Sequence, residues 1–592
     1  MTTPKTAYRS QLQFLCVEEQ TPLHEILRRQ AEATKYGLPA GIALVTDANG
    51  VLLGTITDGD VRRAILKLGT LDVVASQAMT RDPIVFPEGT SFRNILALLP
   101  AELDRRGRRS RRFLGKIVII DEQRRPIRVL DYHQLWEQRV ATHRHVVVVG
   151  MGYVGLTLAL AMAEDGYRVT GVEADPERVA LLMRKESYVH EQGLLELLRE
   201  QIGKQLHVST GMPEDGDVFI ISVGTPVGAG DNGAIPHPRL TELQDSARQV
   251  GEHLTPGSLV ILRSTVPVGT TREVVLPLLE AASGLEGGTD FHLAFAPERT
   301  AEGRALKELR SLPQLIGGVN QDSTEAAAAL FRELTPNIVR MESCEAAELA
   351  KLINNCFRDV IFAFSNEIAR IAAPFNLDVV EVINAANRGY PRDPVPLPSP
   401  GVGGPCLTKD PYIFASMASR AGVPDGLSVR SRRINEDMHG FVATRILQQL
   451  TELGKDPKQC TLLLCGLAFK GQPETGDLRN SSGLEIARLL APRVGRLLGH
   501  DPVASPDDIA AAGLTAAEYP ADATKADAVL FLNNHPSYAT SDVFELVRSL
   551  RGPALIFDGW HLFRPDDVIR AAPCVYMGLG FTRSSVAQPA RS

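Results

Sequence analysis

The stretch HVVVVGMGYVGLTLALAMAEDGYRVTGVEAD, residues 145–175, most constrains the fold. A valine run reads as a strand buried on both faces, and a turn holding Gly150, Gly152 and Gly155 follows it. A helical segment, a second apolar strand and the acid Glu173 complete a βαβ unit. Glycines at this spacing permit the tight turn, the close approach of a pyrophosphate and close helix–strand packing. The helix N-terminus then faces the phosphates. Glu173 ends the second strand, where a carboxylate suits both ribose hydroxyls and disfavours a 2′-phosphate, so NAD rather than NADP is the expected cofactor. Residues 146–163 are apolar enough to imitate a membrane span, but their glycines favour a strand, turn and helix.

Further strands follow at DVFIISVGTP, LVILRSTVP and FHLAFAPER. Each ends in small or polar residues, as expected where a parallel sheet presents ligands at its C-terminal edge. Thr225, Pro226, Ser264, Thr265, Glu298 and Arg299 stand at those ends. At 592 residues the chain exceeds a single core, so three or four domains are expected. A net charge of −7 argues against a general nucleic-acid or anionic-membrane binder. The 7 cysteines are scattered without a CxxC pair, which fits free thiols in a reducing compartment and neither a disulfide framework nor a metal site. The N-terminus lacks the apolar core of a signal peptide, so a cytoplasmic location is expected.

The run CEAAELAKLINNCFRDVIFAFSNEIARIAA reads as one long helix. Lys351, Asn355 and Arg358 share one face of it, and Lys and Asn aimed at one point would make an oxyanion-stabilising pair. Downstream, GVGGPCLTKDPY places Cys406 in a turn of glycine and proline ahead of a helix, with Thr408 the expected cap and Pro411 in the first turn. A thiol there meets the positive end of the helix dipole, and Lys409 adds charge, so thiolate is expected to be favoured. Asp410 offers a carboxylate in the same turn, and a nucleophile beside a base is one recipe for covalent catalysis. Helix then continues to about Leu453. A second α/β unit starts near Cys460, and its loops hold Lys470, Asp477, Arg479 and Ser481, groups suited to phosphates and sugar hydroxyls.

Ahead of all this, residues 13–140 read as a duplicated small α/β module. IALVTDANGVLLGTITDGDVRRAIL is strand, turn, strand, helix, and KIVIIDEQRRPIRVLDYHQLWEQ is a weaker echo. The first copy resembles CBS domains, whose GxxTxxD element binds the ribose of adenine nucleotides. Here that element is Gly54, Thr57 and Asp60; the second copy has Leu130 and His133 in place of the Thr and Asp. The resemblance therefore implies one adenine nucleotide per chain, against a reading as a packing or dimerising module. The basic run 105–112 reads as a solvated loop.

From residue 145 to about 580, the ordered strings GMGYVGL, VGTP, STVPVGT, APERTAEGRAL, AELAKLINNCFRDV, FSNEIA, GVGGPCLTKDP, GLAFK and GDLRNSS resemble the UDP-glucose/GDP-mannose dehydrogenase family. The resemblance implies an α/β architecture in four parts: a CBS pair (13–140), an NAD-binding Rossmann domain (145–340), a central helical domain for catalysis and dimerisation (341–453) and a UDP-sugar-binding Rossmann-like domain (458–585). It implies four-electron oxidation of a sugar C6 alcohol to a carboxylate through a thiohemiacetal and thioester on Cys406. Lys351 and Asn355 would stabilise the oxyanion, Asp410 would assist proton transfer, Glu298 would help hydrolysis and Thr265 would position water. Gly150, Gly152, Tyr153, Val154, Gly155, Glu173, Thr225 and Thr265 would hold NAD. Glu298, Lys351, Arg358, Gly403, Lys470 and Arg479 would hold the UDP-sugar, and no metal is implied. The stretches KLINNCFRDVIFAFSNEI and NAANR look most like enzymes of UDP-N-acetylmannosamine, with UDP-N-acetylglucosamine and UDP-glucose as alternatives. Pro405, where relatives often carry His or Ser, leaves the sugar open. Two competing readings are an oxidoreductase that stops at the aldehyde and a nucleotide sensor with an inactive dehydrogenase half; the intact Cys406, Lys351, Asn355 and Glu298 speak against both.

Overall fold

The computed structural model describes residues 11–586 apart from 37, 71, 89, 91–97, 99–101, 103–104, 107–115, 132–143, 229–234 and 424–425. His133 and most of the basic run lie outside the described residues. Arg105 pairs with Glu102, and Arg106 pairs with Glu102 and Asp82.

Two three-stranded sheets begin the chain. The first holds β1 (Cys16–Val17), β2 (Ile42–Thr46) and β3 (Leu52–Thr57), and the second β4 (Val85–Pro87), β5 (Lys116–Ile120) and β6 (Pro126–Asp131). In each, the first pair of strands is parallel and the second antiparallel, with a register shift late in the middle strand. The weak sequence echo is thus a repeated topology. One apolar cluster, with Leu44, Leu52, Val118 and Val129, joins the two sheets. Ile84, Phe86, Ile117, Ile119 and Leu130 of the second unit belong to the same buried cluster as Leu309, Phe331 and Leu334 beyond it.

The next sheet is built from β7 (His145–Val149), β8 (Arg168–Val172), β9 (Leu206–Ser209), β10 (Val218–Ile221), β13 (Leu259–Leu262) and β14 (His292–Phe295), after a small hairpin of β11 (Val227–Gly228) and β12 (His237–Pro238). Its parallel order is β9-β8-β7-β10-β13-β14, the doubly wound order that reverses between β7 and β10. β15 (Gln314–Gly318) adds antiparallel to β14, and β16 (Ile338–Arg340) adds beyond it. The C-terminal sheet repeats the plan with β17 (Thr461–Cys465), β18 (Arg496–His500), β19 (Thr515–Ala516), β20 (Ala528–Phe531), β21 (Ala554–Asp558) and β22 (Cys574–Gly578), in the order β19-β18-β17-β20-β21-β22. Antiparallel β23 (Phe581–Ser584) closes that edge. The apolar stretch at 146–163 splits into β7 and helix α1 (Tyr153–Glu164), and among the described residues no helix is long and apolar enough to cross a membrane.

Between the sheets run α2 (Cys344–Ala372), α3 (Asp410–Arg420) and α4 (Leu427–Glu452). The Ser343 hydroxyl caps α2 by accepting from Ala346 N–H at 3.2 Å. Thr408 is not the cap of α3: Lys409 occupies that position without a side-chain bond, and the Thr408 hydroxyl donates to the Gly404 carbonyl instead. Glu348, fully buried in α2, accepts from Gly269 N–H (2.6 Å), Thr271 N–H (2.8 Å) and the Thr271 hydroxyl (2.6 Å). It thereby ties the loop after β13 to the helix.

Burial pushes the Glu348 carboxyl up to about 7 from an ordinary 4.5, against the pull of those three donors. Between these values the folded protein holds a proton that the unfolded chain has released. Stability from this site is therefore greatest at acid pH and falls as pH rises from about 4.5 to about 7. Melting temperatures measured across this range should decline more steeply in the native protein than in Glu348→Gln, with a differential on the order of 2–3 kcal/mol. Parallel curves for the two proteins would show that Glu348 is ionised throughout.

Candidate active site

The expected cofactor loop lies where the strand order reverses. Gly150 has φ +90°, and a Cβ on Gly155 would stand 1.9 Å from the Gly150 carbonyl oxygen, so both positions require glycine. A Cβ on Gly152 would meet nothing within 4 Å, which leaves the loop open to an approaching phosphate. Glu173 sits at the end of β8 with its carboxylate accepting from Met151 N–H and Asp175 N–H, both at 3.2 Å. The buried Ser222 hydroxyl, at the end of β10, has no partner among the described residues. An open glycine cradle, an acid at the end of β8 and a free hydroxyl at the switch point fit a dinucleotide. Thr225 donates to the Thr265 carbonyl at 2.6 Å, which joins the ends of β10 and β13.

Val154 follows in the first turn of α1. Tyr153 has a use the sequence does not signal. Its hydroxyl donates to Glu191, and that same Glu191 accepts from Gly303 N–H (2.7 Å) and Ala305 N–H (2.8 Å). Glu191 thus connects the start of α1 to the loop after Glu298. No motif or periodicity marks it in the sequence.

A cavity of about 740 Å3 opens between that loop, α2, the Gly401–Cys406 turn and the loops of the C-terminal sheet. Cys406 is exposed to it, and Lys351, Asn355, Arg358 and Glu298 line it. The shared helical face read from the sequence therefore points at the cysteine. Lys351 Nζ donates to the Glu298 carbonyl oxygen. Asn355 Nδ2 donates to the fully buried Asp410 carboxylate at 2.6 Å, whose other oxygen lies 2.8 Å from Lys409 Nζ. Gly403 is required by close approach, since a Cβ there would stand 2.4 Å from the Asn480 carbonyl oxygen.

The surroundings of Cys406 run against an easily formed thiolate. Although Cys406 opens onto the cavity, the protein packed around its sulfur raises the thiol pKa, and the Asp410 charge raises it further; Lys351 and Lys409 pull the other way without prevailing. The turn therefore holds a thiol that needs a base, rather than a preformed thiolate.

On the far wall, Lys470 donates to the Glu302 carbonyl at 2.7 Å, with its pKa lowered by burial. Phe469, Asn534 and Trp560 also line the cavity, although the sequence does not single them out. Several expected residues do not line the cavity. Arg479 does not line the cavity: it is largely exposed and folds onto Asp477, with Nε 2.9 Å from the carboxylate. Its neighbour Ser481 caps the following helix. Thr265 does not line the cavity and stays beside Thr225.

In the N-terminal unit, the GxxTxxD residues have protein partners. Asp60 accepts from the backbone N–H of Thr57 (2.8 Å), the Thr57 hydroxyl (2.7 Å) and the Thr80 hydroxyl (2.9 Å), and pairs with Arg63. A Cβ on Gly54 would stand 2.7 Å from the Thr80 carbonyl oxygen, so this glycine serves packing. These contacts fasten the start of the helix after β3 to the segment at Thr80.

Residues 144–335, 345–437 and 463–565 match the NAD binding, central and UDP binding domains of the UDP-glucose/GDP-mannose dehydrogenase family, and residues 10–67 match the CBS domain. The chain is 32% identical over 444 residues to the UDP-N-acetyl-D-mannosamine dehydrogenase of Pyrococcus horikoshii, covering 74% of this chain and 100% of that protein. The solved structure of a UDP-D-ManNAc dehydrogenase from Pyrococcus horikoshii superposes with a TM-score of 0.65, covering 74% and 99% of the two chains. A UDP-glucose dehydrogenase from Pyrobaculum islandicum, 28% identical, superposes with a TM-score of 0.64 over 74% and 99%.

Iodoacetamide alkylation of Cys406, followed by mass spectrometry, should climb with pH through 9 and beyond. In Asp410→Asn the profile should move to lower pH, because the charge that opposes ionisation is gone. An unmoved profile would show that Asp410 does not act on the thiol.

Proposed function

Because this chain belongs to the UDP-glucose/GDP-mannose dehydrogenase family and is an NAD-dependent nucleotide-sugar dehydrogenase, we propose that it oxidises UDP-N-acetylmannosamine at C6 to the uronic acid through a covalent adduct on Cys406. The observation that carries the four-electron reading is the meeting of Cys406, Lys351, Asn355 and Glu298, from three separate segments, at one cavity. The choice of sugar is supported by relatives named UDP-N-acetyl-D-mannosamine dehydrogenase from several organisms. UDP-N-acetylglucosamine and UDP-glucose remain the alternatives.

The glycine loop and Glu173 would hold NAD, which would supply the hydride acceptor for both oxidations, alcohol to aldehyde and then, with a second NAD, thiohemiacetal to thioester. An aldehyde gives up hydride readily only from a tetrahedral adduct, so the second oxidation needs a nucleophile. The Cys406 sulfur bonds to the aldehyde carbon and its proton leaves with the help of the Asp410 carboxylate. Lys351 and the second amide hydrogen of Asn355, whose first is engaged by Asp410, stabilise the negative oxygen. Glu298 accepts a proton from the water that cleaves the resulting thioester and regenerates the thiol. Arg358 from α2, Gly403 from the cysteine turn and Lys470 from the far wall hold the nucleotide-sugar, while Thr265 acts from the cofactor side. NADH release over a panel of UDP-sugars tests the reading. About two NADH per UDP-N-acetylmannosamine are expected, and Cys406→Ser should slow full oxidation by roughly a thousandfold or more. A ratio of about one with free aldehyde, or near-normal turnover of the serine variant, would overturn it.

The protein is further proposed to act as a homodimer through α2. Phe357, Phe364 and Ile371 recur every seven residues on that helix and are 65%, 54% and 61% exposed, an apolar stripe suited to a second copy. Phe364→Glu should shift the protein to monomer in analytical ultracentrifugation. A mass unchanged between the two proteins would place the interface elsewhere.

A further inference from the structure

Behind the Cys406 turn lies a buried polar network that the proposed chemistry does not use. Arg432, on α4, is fully buried. Its Nη2 donates to the Val402 carbonyl at 2.8 Å, and its Nη1 donates to the Leu407 carbonyl at 3.0 Å and to Asp359 Oδ1 at 2.9 Å. Val402 and Leu407 bracket the GGPC segment, so one planar guanidinium grips both ends of the turn that presents the sulfur. Asp359, also fully buried, lies on α2 at the same four-residue step that separates Lys351 from Asn355. Asn435 Nδ2 donates to Asp359 Oδ1 (2.8 Å) and to its carbonyl (3.0 Å), Asn366 donates to Asn435 (2.8 Å), and Ser399 N–H donates to Asn366 (2.8 Å). The chain of bonds therefore runs from α2 through α4 and back to the strand of chain entering the turn.

This arrangement is poorly explained as a device for stability. A buried ion pair commonly costs as much in desolvation as it returns in attraction, and an apolar replacement of the same volume is often neutral or better. Here Asp359 Oδ2 has no partner among the described residues, and burial lifts the Asp359 carboxyl to about 6 despite the adjacent guanidinium. What the pair does supply is a fixed relation between two elements. The helix that carries Lys351 and Asn355 is bolted, through Asp359 and Arg432, to the turn that carries Cys406.

We propose that Arg432, held by Asp359, is a positioning residue that sets Cys406 at the reaching distance of an aldehyde held by Lys351 and Asn355. The proposal rests on the covalent reading above and adds a consequence to it. Cysteine is needed only for the second oxidation, when its sulfur bonds to the aldehyde carbon. The first oxidation, alcohol to aldehyde, makes no bond to sulfur. A displaced turn should therefore spare the first step and slow the second, whereas a general loosening of the fold should slow both.

Single-turnover stopped-flow, with enzyme in excess of UDP-N-acetylmannosamine and NAD saturating, reads the two steps separately. Arg432→Lys keeps the charge beside Asp359 but cannot reach both carbonyls in one plane. It is expected to form the first NADH within about threefold of the native rate and the second at least about thirtyfold more slowly, with the aldehyde trapped by hydroxylamine in the interval. Asp359→Asn, which keeps the shape of the pair, should show the same split to a smaller degree. Thermal melting and NAD binding identify any variant that has lost its fold. If both phases slow by the same factor, or neither slows in a folded variant, Arg432 does not position the nucleophile. If both variants fail to fold, the pair is a requirement of the fold and the proposal likewise falls. A native enzyme that yields only one NADH would instead overturn the covalent reading itself, so the two failures are distinguishable.

Discussion

The organisation of the molecule depends on a constraint within α2: a helix that buries polar side chains must find a partner for each of them. Left unpaired, each such group would cost roughly 1–3 kcal/mol. Glu348, Lys351, Asn355, Asp359 and Asn366 are all buried. Each is answered by a different piece of chain: the loop after β13, the Glu298 carbonyl, Asp410, Arg432, and the Ser399–Asn435 pair. Satisfying one helix edge therefore assembles the loop after β13, the loop after β14 and the cysteine turn around a common axis. The same bonds that keep the helix from being a polar liability in the core build the cavity.

The two sheets meet across the other side of that cavity through groups of similar kind. Lys470 reaches the Glu302 carbonyl, and Thr475 donates to the Glu302 carboxylate at 2.7 Å. A side chain on Gly303 would collide with Pro473 and the Glu474 carbonyl. Contacts made mostly by single hydrogen bonds between loops, rather than by an apolar core, suit a cleft that admits and releases a large polar ligand.

Much of this was legible in the residues. Both doubly wound sheets announce themselves as apolar runs ending in small residues, because a strand buried on both faces leaves no alternative pattern. That Lys351, Asn355 and Arg358 share one face followed from helical spacing, and the family resemblance turned that face toward the cysteine. What the sequence hid depends on distant partners. Arg479 reads as a phosphate ligand, yet a carboxylate two residues away claims it. The cysteine reads as a thiolate from its place ahead of a helix, yet the surrounding protein and Asp410 push its thiol up. Glu191 and Arg432 carry no local mark at all, since their importance lies in main-chain groups folded against them from over a hundred and some thirty positions away, respectively. Gly54, Thr57 and Asp60 form a recognisable string, but the string does not reveal that the Asp60 carboxylate also accepts from Thr57 and Thr80 at the helix start.

The apolar continuity between the second N-terminal sheet and the cofactor-binding half has a mechanical meaning. Ile84, Phe86 and Ile117 share one buried apolar cluster with Leu309 and Phe331. Close-packed interiors are stiff and transmit displacement instead of absorbing it. The N-terminal unit is therefore an inelastic extension of the cofactor-binding scaffold. Any shift within its sheets must be accommodated by the layer beneath, and a chain deprived of the unit would present that layer to water as a sticky face.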